Sequence, residues 1–388
     1  MTELFHDARR DEPAMHALVI GVGSYPYLPG GPLADPREAF TFDGMRQLTS
    51  PPRSALAFAR LLVDGGTARW NVPAGSVDLL ISSPDGDVPP GLPEPAPREP
   101  TIDRIREAFA AWLARCATHP ENVAVLYFCG HGLQAESQLL LAGDFNRFGA
   151  TPFAQAFDFD ETRLALQQRG PRTQCLIIDA CRTDCFDLRP GPVAPLARPE
   201  VFAPRVCTHE LTLRLPAFEE TGGRRGEVSQ LTRAVIRALD GEAATTDDAG
   251  RWVVRMEGVR RSVDTLLREE LDVSSLPRGV ESNSLGDTVL RRLDEAPAAS
   301  LTVRCHPAGP AARTRLSCAP HHPEDLPPVD CGEPRQAAAT ADLPAGQEWR
   351  MRVRAGVYLL RAKSPAAEVS RPHSVLPPHS RASMEVAR

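Results

Sequence analysis

The sequence predicts an α/β fold, a mostly parallel sheet layered between helices, followed by a small all-β unit. Three observations point there. Short runs rich in Val, Leu and Ile, apolar on both faces, recur at His16–Tyr25, Ser76–Ser83, Asn122–Gly130 and Thr173–Ala180, as expected of strands buried inside a parallel sheet. Stretches with helical periodicity separate them, which implies right-handed crossovers with helices on both faces. From Ser300 onward the pattern changes to apolar alternation between turn-rich loops.

Taken in order, residues 1–15 read as an N-terminal tail. "HALVIGVGSY" is the first strand and carries Gly21 and Gly23 at its end; the third glycine of a dinucleotide fingerprint is missing, so a turn is expected. "TSPPRSALAFARLLVDGG" predicts a helix with Ser50 as cap, prolines in its first turn and Gly65 at its stop. After the strand at Ser76–Ser83, residues 84–100 are proline-rich and predict an exposed loop. "TIDRIREAFAAWLARCA" then sets Ile102, Ile105, Phe109, Leu113 and Cys116 on one helical face behind a Thr101 cap.

Beyond residue 131, "SQLLLAGD" predicts a short strand or hairpin arm, and "DETRLALQQRG" a helix closed by Gly170. Residues 187–205 form a second proline-rich loop. "HELTLRLPA" predicts another strand, "EVSQLTRAVIRALDG" a helix from Ser229 to Gly241, and "MEGVRRSVDTLLREELD" a further helix. Residues 16–297 are therefore expected as one large unit. Residues 298–388, with "EWRMRVRAGVYLLRAKS" alternating about an Ala-Gly turn, are expected as a small β-sandwich.

Two of the apolar runs end on reactive side chains. "NVAVLYFCGHG" delivers His131, and "TQCLIIDACR" delivers Cys181, 50 residues later. A strand in such a sheet releases functional residues at its carboxyl end, and a single Cys with a His about 50 residues upstream is the arithmetic of a caspase-type thiol peptidase. On His131-Gly132 and Asp179-Ala180-Cys181-Arg182 the chain resembles the caspase-like peptidases, their bacterial and metacaspase-like members more than the animal caspases. Asp179 and Thr183 stand where the animal pattern has Gln and Gly. The resemblance implies a six-stranded, mostly parallel sheet sandwiched by helices, and a cysteine endopeptidase with a Cys181–His131 dyad.

A thiol attacks carbonyls as its thiolate, which an adjacent imidazole can generate. The resemblance implies an oxyanion hole made by the amides of Gly132 and Cys181; Gly132 also reads as a plain turn glycine. Asp179 lies two residues before Cys181, so both side chains share a face of their strand. The resemblance implies that Asp179 lines the primary pocket and pairs a substrate Arg or Lys; an internal ion pair with an arginine is the alternative reading. Arg182 and Asp184 are expected in solvent or pairing across the loop, and Asp144, Cys207 and His209 are read as structural.

Arg98, Arg189, Arg198 and Arg205 lie in the two proline-rich loops and are the expected self-processing positions, Lys363 being the only lysine. The resemblance also implies protein substrates, an activating protease or regulatory protein, and a regulated role in bacterial defence or cell death.

Composition bounds the alternatives. Net charge is -6 and basic residues are scattered, so no nucleic-acid footprint is expected. No run reaches the roughly 18 apolar residues of a spanning helix and the N-terminus lacks a signal-peptide core, so a soluble cytoplasmic protein without membrane contact is expected. Nine cysteines, an odd count, favour reduced thiols over a disulfide framework. Cys305, Cys318 and Cys331, with His306, His321 and His322, lack a recognised zinc spacing, and no metal or organic cofactor is expected. A catalytically silent caspase-fold scaffold is the reading that the intact His131 and Cys181 oppose.

Overall fold

The computed structural model describes residues 3–6, 12–35, 42, 44–84, 87–94, 96–184, 190–215, 225–270, 280–307, 314–321, 339–343, 348–363 and 367–386. Among these, a seven-stranded sheet runs in the order β1 (Glu3–His6), β4 (Ala74–Ser82), β2 (Met15–Val22), β5 (Val123–Gly130), β9 (Thr173–Ala180), β11 (His209–Arg214) and β14 (Glu281–Leu285). The five inner strands are parallel. Both edge strands are antiparallel. The expected sheet had six strands; the seventh is β1, from the segment read as a tail. Four residues carry too short a pattern to announce a strand, and it is the open edge of β4 that supplies the pairing.

Helices cover both faces. On one, α1 (Ser50–Asp64), α4 (Gln230–Arg237) and α5 (Met256–Glu270) pack through Phe58, Leu62, Val235, Val263 and Leu266 onto Val19, Val125, Tyr127 and Ile177. On the other, α2 (Ile102–Cys116) and α3 (Phe159–Arg169) pack through Ile105, Phe109, Trp112 and Leu166 onto Leu18, Ile20, Leu126 and Ile178. Odd-numbered residues of β5 and β9 face the first layer and even-numbered ones the second, the period of two that a strand requires.

Helix ends differ from the expected caps in instructive ways. The first residue of α1 is Ser50, with Thr49 at the cap position, and Gly65 closes the helix in the left-handed region at φ 78°. Thr101 occupies the cap position of α2 without a side-chain cap bond. The Asp144 carboxylate, 42 residues away, accepts from the Ile102 amide at 2.8 Å instead.

Two small sheets extend the large unit. One has the order β10 (Thr183–Asp184), β6 (Gly132–Gln134), β7 (Gln138–Leu141), β8 (Ala156–Asp158). The other runs β12 (Ala244–Thr246), β13 (Trp252–Arg255), β15 (Val289–Leu293), β3 (Ala68–Trp70).

After residue 297 the chain forms two further sheets: β19 (Glu348–Arg354), β16 (Ala298–Pro307), β22 (His379–Val386), and β18 (Ala339–Leu343), β17 (Thr314–Pro320), β20 (Gly356–Lys363), β21 (Glu368–Val375). They enclose their own core of Leu301, Val303, Leu316, Trp349, Leu360 and Met384. The Ala355-Gly356 turn carries the chain from one sheet to the other rather than closing a hairpin. The unit abuts the larger one where the Ala355 amide donates to the Pro297 carbonyl at 2.8 Å and Arg352 pairs with Glu242 at 2.5 Å.

Candidate active site

Two adjacent strands bring the site together. β5 and β9 are parallel neighbours in register, with Cys129 opposite Asp179 and Gly130 opposite Ala180. His131 and Cys181 are the next residues on each. Neighbouring strands lie about 4.8 Å apart, so the sequence-predicted base and nucleophile leave the sheet side by side at its carboxyl end. Beyond them the two segments stay paired, Leu133 with Thr183 and Gln134 with Asp184. Cys181 is half-buried and reduced.

Gly132 is held against the backbone of Cys181. A Cβ at this position would lie 2.5 Å from the Cys181 carbonyl oxygen and 3.1 Å from the Ala180 Cβ. Only glycine permits that approach. The same logic disposes of a phosphate loop at Gly21 and Gly23: a Cβ on Gly21 would meet Ala55 Cβ and the Pro51 carbonyl at 2.7 Å, and one on Gly23 would meet Leu48 and Ser82 carbonyls. Those glycines let α1 and its leading loop close onto β2.

The His131 ring is fixed by two groups outside its own strand. Its Nε2 donates to the Arg46 carbonyl at 2.7 Å, and since a carbonyl only accepts, Nε2 carries the proton and Nδ1 is left as the basic nitrogen of the neutral ring. Tyr25 packs its ring 4.8 Å from the imidazole. Its hydroxyl accepts from the His131 amide at 2.7 Å and faces the Leu141 carbonyl at 3.5 Å, standing in for a ladder bond between His131 and Leu141, while the Leu141 amide still donates to the His131 carbonyl at 3.1 Å. Burial lowers the His131 pKa below the usual imidazole range, and the bond to Arg46 opposes this in part.

The loop carrying Arg46 is in turn clamped by Gln47, whose side-chain amide accepts from the Tyr25 amide at 2.7 Å and donates to the Tyr25 carbonyl at 2.8 Å. Sequence reasoning missed Tyr25 and Arg46. Tyr25 ends the first apolar run, a position next to the emerging His strand, which is a usable signal; Arg46 acts through its main-chain carbonyl, which no side-chain pattern reveals.

Asp179 is buried, at 5% exposure. Its carboxylate accepts from the Ser229 hydroxyl and from the Thr232 hydroxyl at 2.5 Å, at the N-terminus of α4. Ser229 also caps that helix, accepting from the Thr232 amide at 3.2 Å. Thr232 shares its hydroxyl with Tyr127 at 2.6 Å, and the Cys129 thiol completes the cluster around the carboxylate. Burial raises the Asp179 pKa; the Ser229, Thr232 and Cys129 hydrogen bonds pull it back. These partners are hydroxyls, a thiol and a helix N-terminus, not an arginine.

Arg182 departs from the solvated expectation. It is buried, donates from Nε to Gln134 Oε1 at 2.8 Å and ion-pairs with Glu281 at the start of β14. Glu281 also meets Arg214 at 3.4 Å, and Arg214 pairs with Asp160 at 2.8 Å. Arg182 is thus tied to β6 and to the sheet edge by long-range partners that local sequence cannot show. Cys207 is buried, and His209 meets the Thr208 hydroxyl at 3.0 Å.

Of the loop arginines, Arg98, Arg198 and Arg205 are exposed; Arg189 lies outside the described residues, as does the segment 216–224. A groove of about 760 Å³ opens between the β6–β7 turn, the start of α3 and residues 190–199, and is lined by Glu136, Asp158, Glu161 and Arg198. Neither His131 nor Cys181 lines it. Among the described residues there is no cluster of His, Cys, Asp and Glu able to hold a metal ion, and no helix long and apolar enough to cross a membrane.

An uncharacterized protein of Sinorhizobium fredii, y4kE, is 34% identical over 204 residues, covering 51% of this chain and 58% of the relative. The chain thus spans little more than half of that relative's length. The profile of the caspase domain, a peptidase family, matches residues 14–273, from the strand that precedes Tyr25 through α5, and so includes both strand ends that carry His131 and Cys181: the chain belongs to the caspase domain family.

Proposed function

We propose that this protein is a cysteine endopeptidase that cleaves protein substrates after a basic residue, Arg by preference, with Cys181 as nucleophile and His131 as base. The observation that carries the reading is the register of β5 and β9, which ends the two strands at matched positions on these two side chains. His131 Nδ1 takes the thiol proton, the thiolate adds to the scissile carbonyl, and the imidazolium returns the proton to the leaving amine. Water then hydrolyses the thioester by the same base.

Gly132 and Cys181 supply the oxyanion amides. Along a strand successive amides point to opposite sides; the His131 amide is turned toward Tyr25 and β7, which favours the Cys181 side for the Gly132 amide. Donors so placed act on charge that develops only as the carbonyl becomes tetrahedral.

Asp179 supplies specificity. It lies two residues before the nucleophile on the same strand face, and its carboxylate is the acidic group nearest in sequence on that face. Protein substrates, control by self-processing at Arg98, Arg189, Arg198 or Arg205, and service in a bacterial defence or cell-death pathway complete the proposal.

The test compares wild type, Cys181→Ala and Asp179→Asn on reporter peptides with Arg, Lys or Asp before the scissile bond. Wild type should hydrolyse the Arg peptide fastest, Cys181→Ala should not, and Asp179→Asn should lose about 10- to 100-fold on Arg and Lys, the value of a charge-assisted hydrogen bond. Activity surviving in Cys181→Ala would refute the mechanism. A preference for Asp would refute the role given to Asp179.

A further inference from the structure

We infer that, of the arginines in the two proline-rich loops, Arg205 is the one this peptidase cuts after, and that the cut is made by a second molecule and not by the chain's own Cys181. The inference rests on the reading of the site as a peptidase for basic residues, and three independent observations narrow it.

The first is chemical. Arg189 and Arg198 are each followed by proline, as Pro190 and Pro199, whereas Arg205 is followed by Val206. Cleavage before proline requires protonating a ring nitrogen of a tertiary amide. Proline also holds the residue ahead of it in a restricted backbone region and offers no amide hydrogen for docking. Two of the three arginines in the second loop are thereby disfavoured.

The second concerns Arg98. Its carbonyl, the group a thiolate must attack, accepts from the Ile81 amide at 3.1 Å, and Leu80 and Arg98 form a parallel bridge on the edge of the sheet's carboxyl end. Its side chain pairs with Glu107 at 3.6 Å. Attack there requires prising a strand-like segment from the fold. Around Arg205, by contrast, residues 203–208 adopt neither helix nor strand, and Val201 and Phe202 just before them are 89% and 96% exposed. A bound stretch from Phe202 to Val206 needs the Val206 and Cys207 amides to leave the Gln167 carbonyl and Ala203 to give up its long bonds to the Glu200 carbonyl, 3.3 Å, and the Gln168 side chain, 3.4 Å, a local opening far cheaper than unfolding.

The third is position. The second loop leaves the sheet's carboxyl end and is strapped down α3: the Leu196 amide to Thr162, Glu200 to Gln168 and Arg169. It reaches β11 at the opposite end, where the Thr208 and His209 amides bond the Arg172 carbonyl just ahead of β9. Between Arg172 and Cys181 runs the whole of β9, roughly 25 Å at 3.3 Å per residue. The three residues from Thr208 back to Arg205 span at most about 10 Å even when fully extended. Arg205 therefore cannot reach the Cys181 of its own chain while β11 is in place, and a second copy must act.

In the step itself, the Cys181 sulfur of one molecule bonds to the Arg205 carbonyl carbon of another. The Arg205–Val206 bond breaks, Val206 leaves as an amine carrying the proton from His131, and water frees Arg205 as a carboxylate. The products remain paired, since β11, on the new C-terminal fragment, is bonded to β9 on the other.

The experiment mixes full-length Cys181→Ala target with catalytic amounts of wild type and reads the fragments by mass spectrometry, with Arg205→Ala as a second target. The expected result is a fragment beginning at Val206 from the first target and none from the second, at a rate proportional to wild-type concentration. Cutting at Arg98, Arg189 or Arg198 in place of Arg205 would overturn the assignment. Processing of wild type with a half-life unchanged by dilution would overturn the bimolecular route, and an intact target beside rapid hydrolysis of the Arg reporter would overturn both. Failure on the reporter peptide would instead sink the underlying peptidase reading. Limited digestion with an external Arg-specific protease then still decides accessibility: Arg205 should be cut before Arg98, Arg189 and Arg198, and the reverse order refutes the inference.

Discussion

Gly132→Ala is the smallest perturbation that separates the packing of the site from its fold. The added methyl would sit 2.5 Å from the Cys181 carbonyl oxygen and 3.1 Å from the Ala180 Cβ, against an ordinary carbon–oxygen contact of about 3.4 Å. Both neighbours belong to the backbone end of a central strand, so neither yields by a side-chain rotation. About 0.9 Å must come from β6 moving away from the end of β9. Overpacking of this kind costs about 1–3 kcal/mol, or several degrees in Tm.

Movement by about 1 Å also displaces the Gly132 amide from the oxyanion position proposed for it, and losing one such donor lowers kcat by about 10² to 10³. The assay is the Cys181-dependent hydrolysis of an Arg reporter peptide, run beside thermal unfolding at the same protein concentration. A variant that unfolds as wild type does and keeps more than a tenth of its kcat would refute both the contact and the role given to that amide.

Two further outcomes follow from the groups around the site and behind it. Tyr25→Phe removes the hydroxyl that accepts from the His131 amide at 2.7 Å and leaves that donor without its partner; stability should fall by about 1–3 kcal/mol, and an unchanged Tm would show that the hydroxyl is dispensable. His16, buried against Ser76 at 2.9 Å and beside Arg115, has its pKa lowered to about 4, by burial first and then by the arginine. The unfolded chain takes up this proton near 6.5 and the native one only near 4, so the contribution is complete above pH 6.5 and is lost as pH falls from 6.5 to 4. Between pH 6.5 and 4 an unscreened group would lose about 3 kcal/mol; solvent screening of this incompletely enclosed ring brings the loss to the order of 2 kcal/mol, absent from His16→Asn, and an identical pH profile for the two proteins would contradict it.

The strands that matter most were legible because they are buried on both faces: β2, β4, β5 and β9 each announce themselves as an apolar run, and their ends fall where the reactive residues stand. Helix α4 was legible from its apolar spacing and from Ser229 at its start, and α3 from Gly170 at its end. What stayed hidden depends on partners far along the chain. Asp144 caps a helix 42 residues away, and Arg182 is buried because Glu281, on the last strand of the sheet, arrives to pair with it. The three residues of β8 and two of β10 are too few to carry a period.

The His131 proton is located by the carbonyl of Arg46, a group every residue possesses, so no side-chain pattern singles it out. Asp179 is a mixed case: its strand face was readable, its hydroxyl partners on α4 were not. Ser229 marks the start of the expected helix, but that its hydroxyl holds Asp179 depends on how α4 lies across the sheet.

The central claim, that the strand ends form one thiol–imidazole pair, is tested most directly by intact-mass measurement after incubation with an arginyl chloromethyl ketone. The account predicts a single adduct on Cys181, none on Cys181→Ala, and an adduct on His131→Ala that forms at least 10²-fold more slowly, the scale of a lost general base. An adduct on another of the nine cysteines, or labelling of Cys181 at the same rate with and without His131, would contradict it.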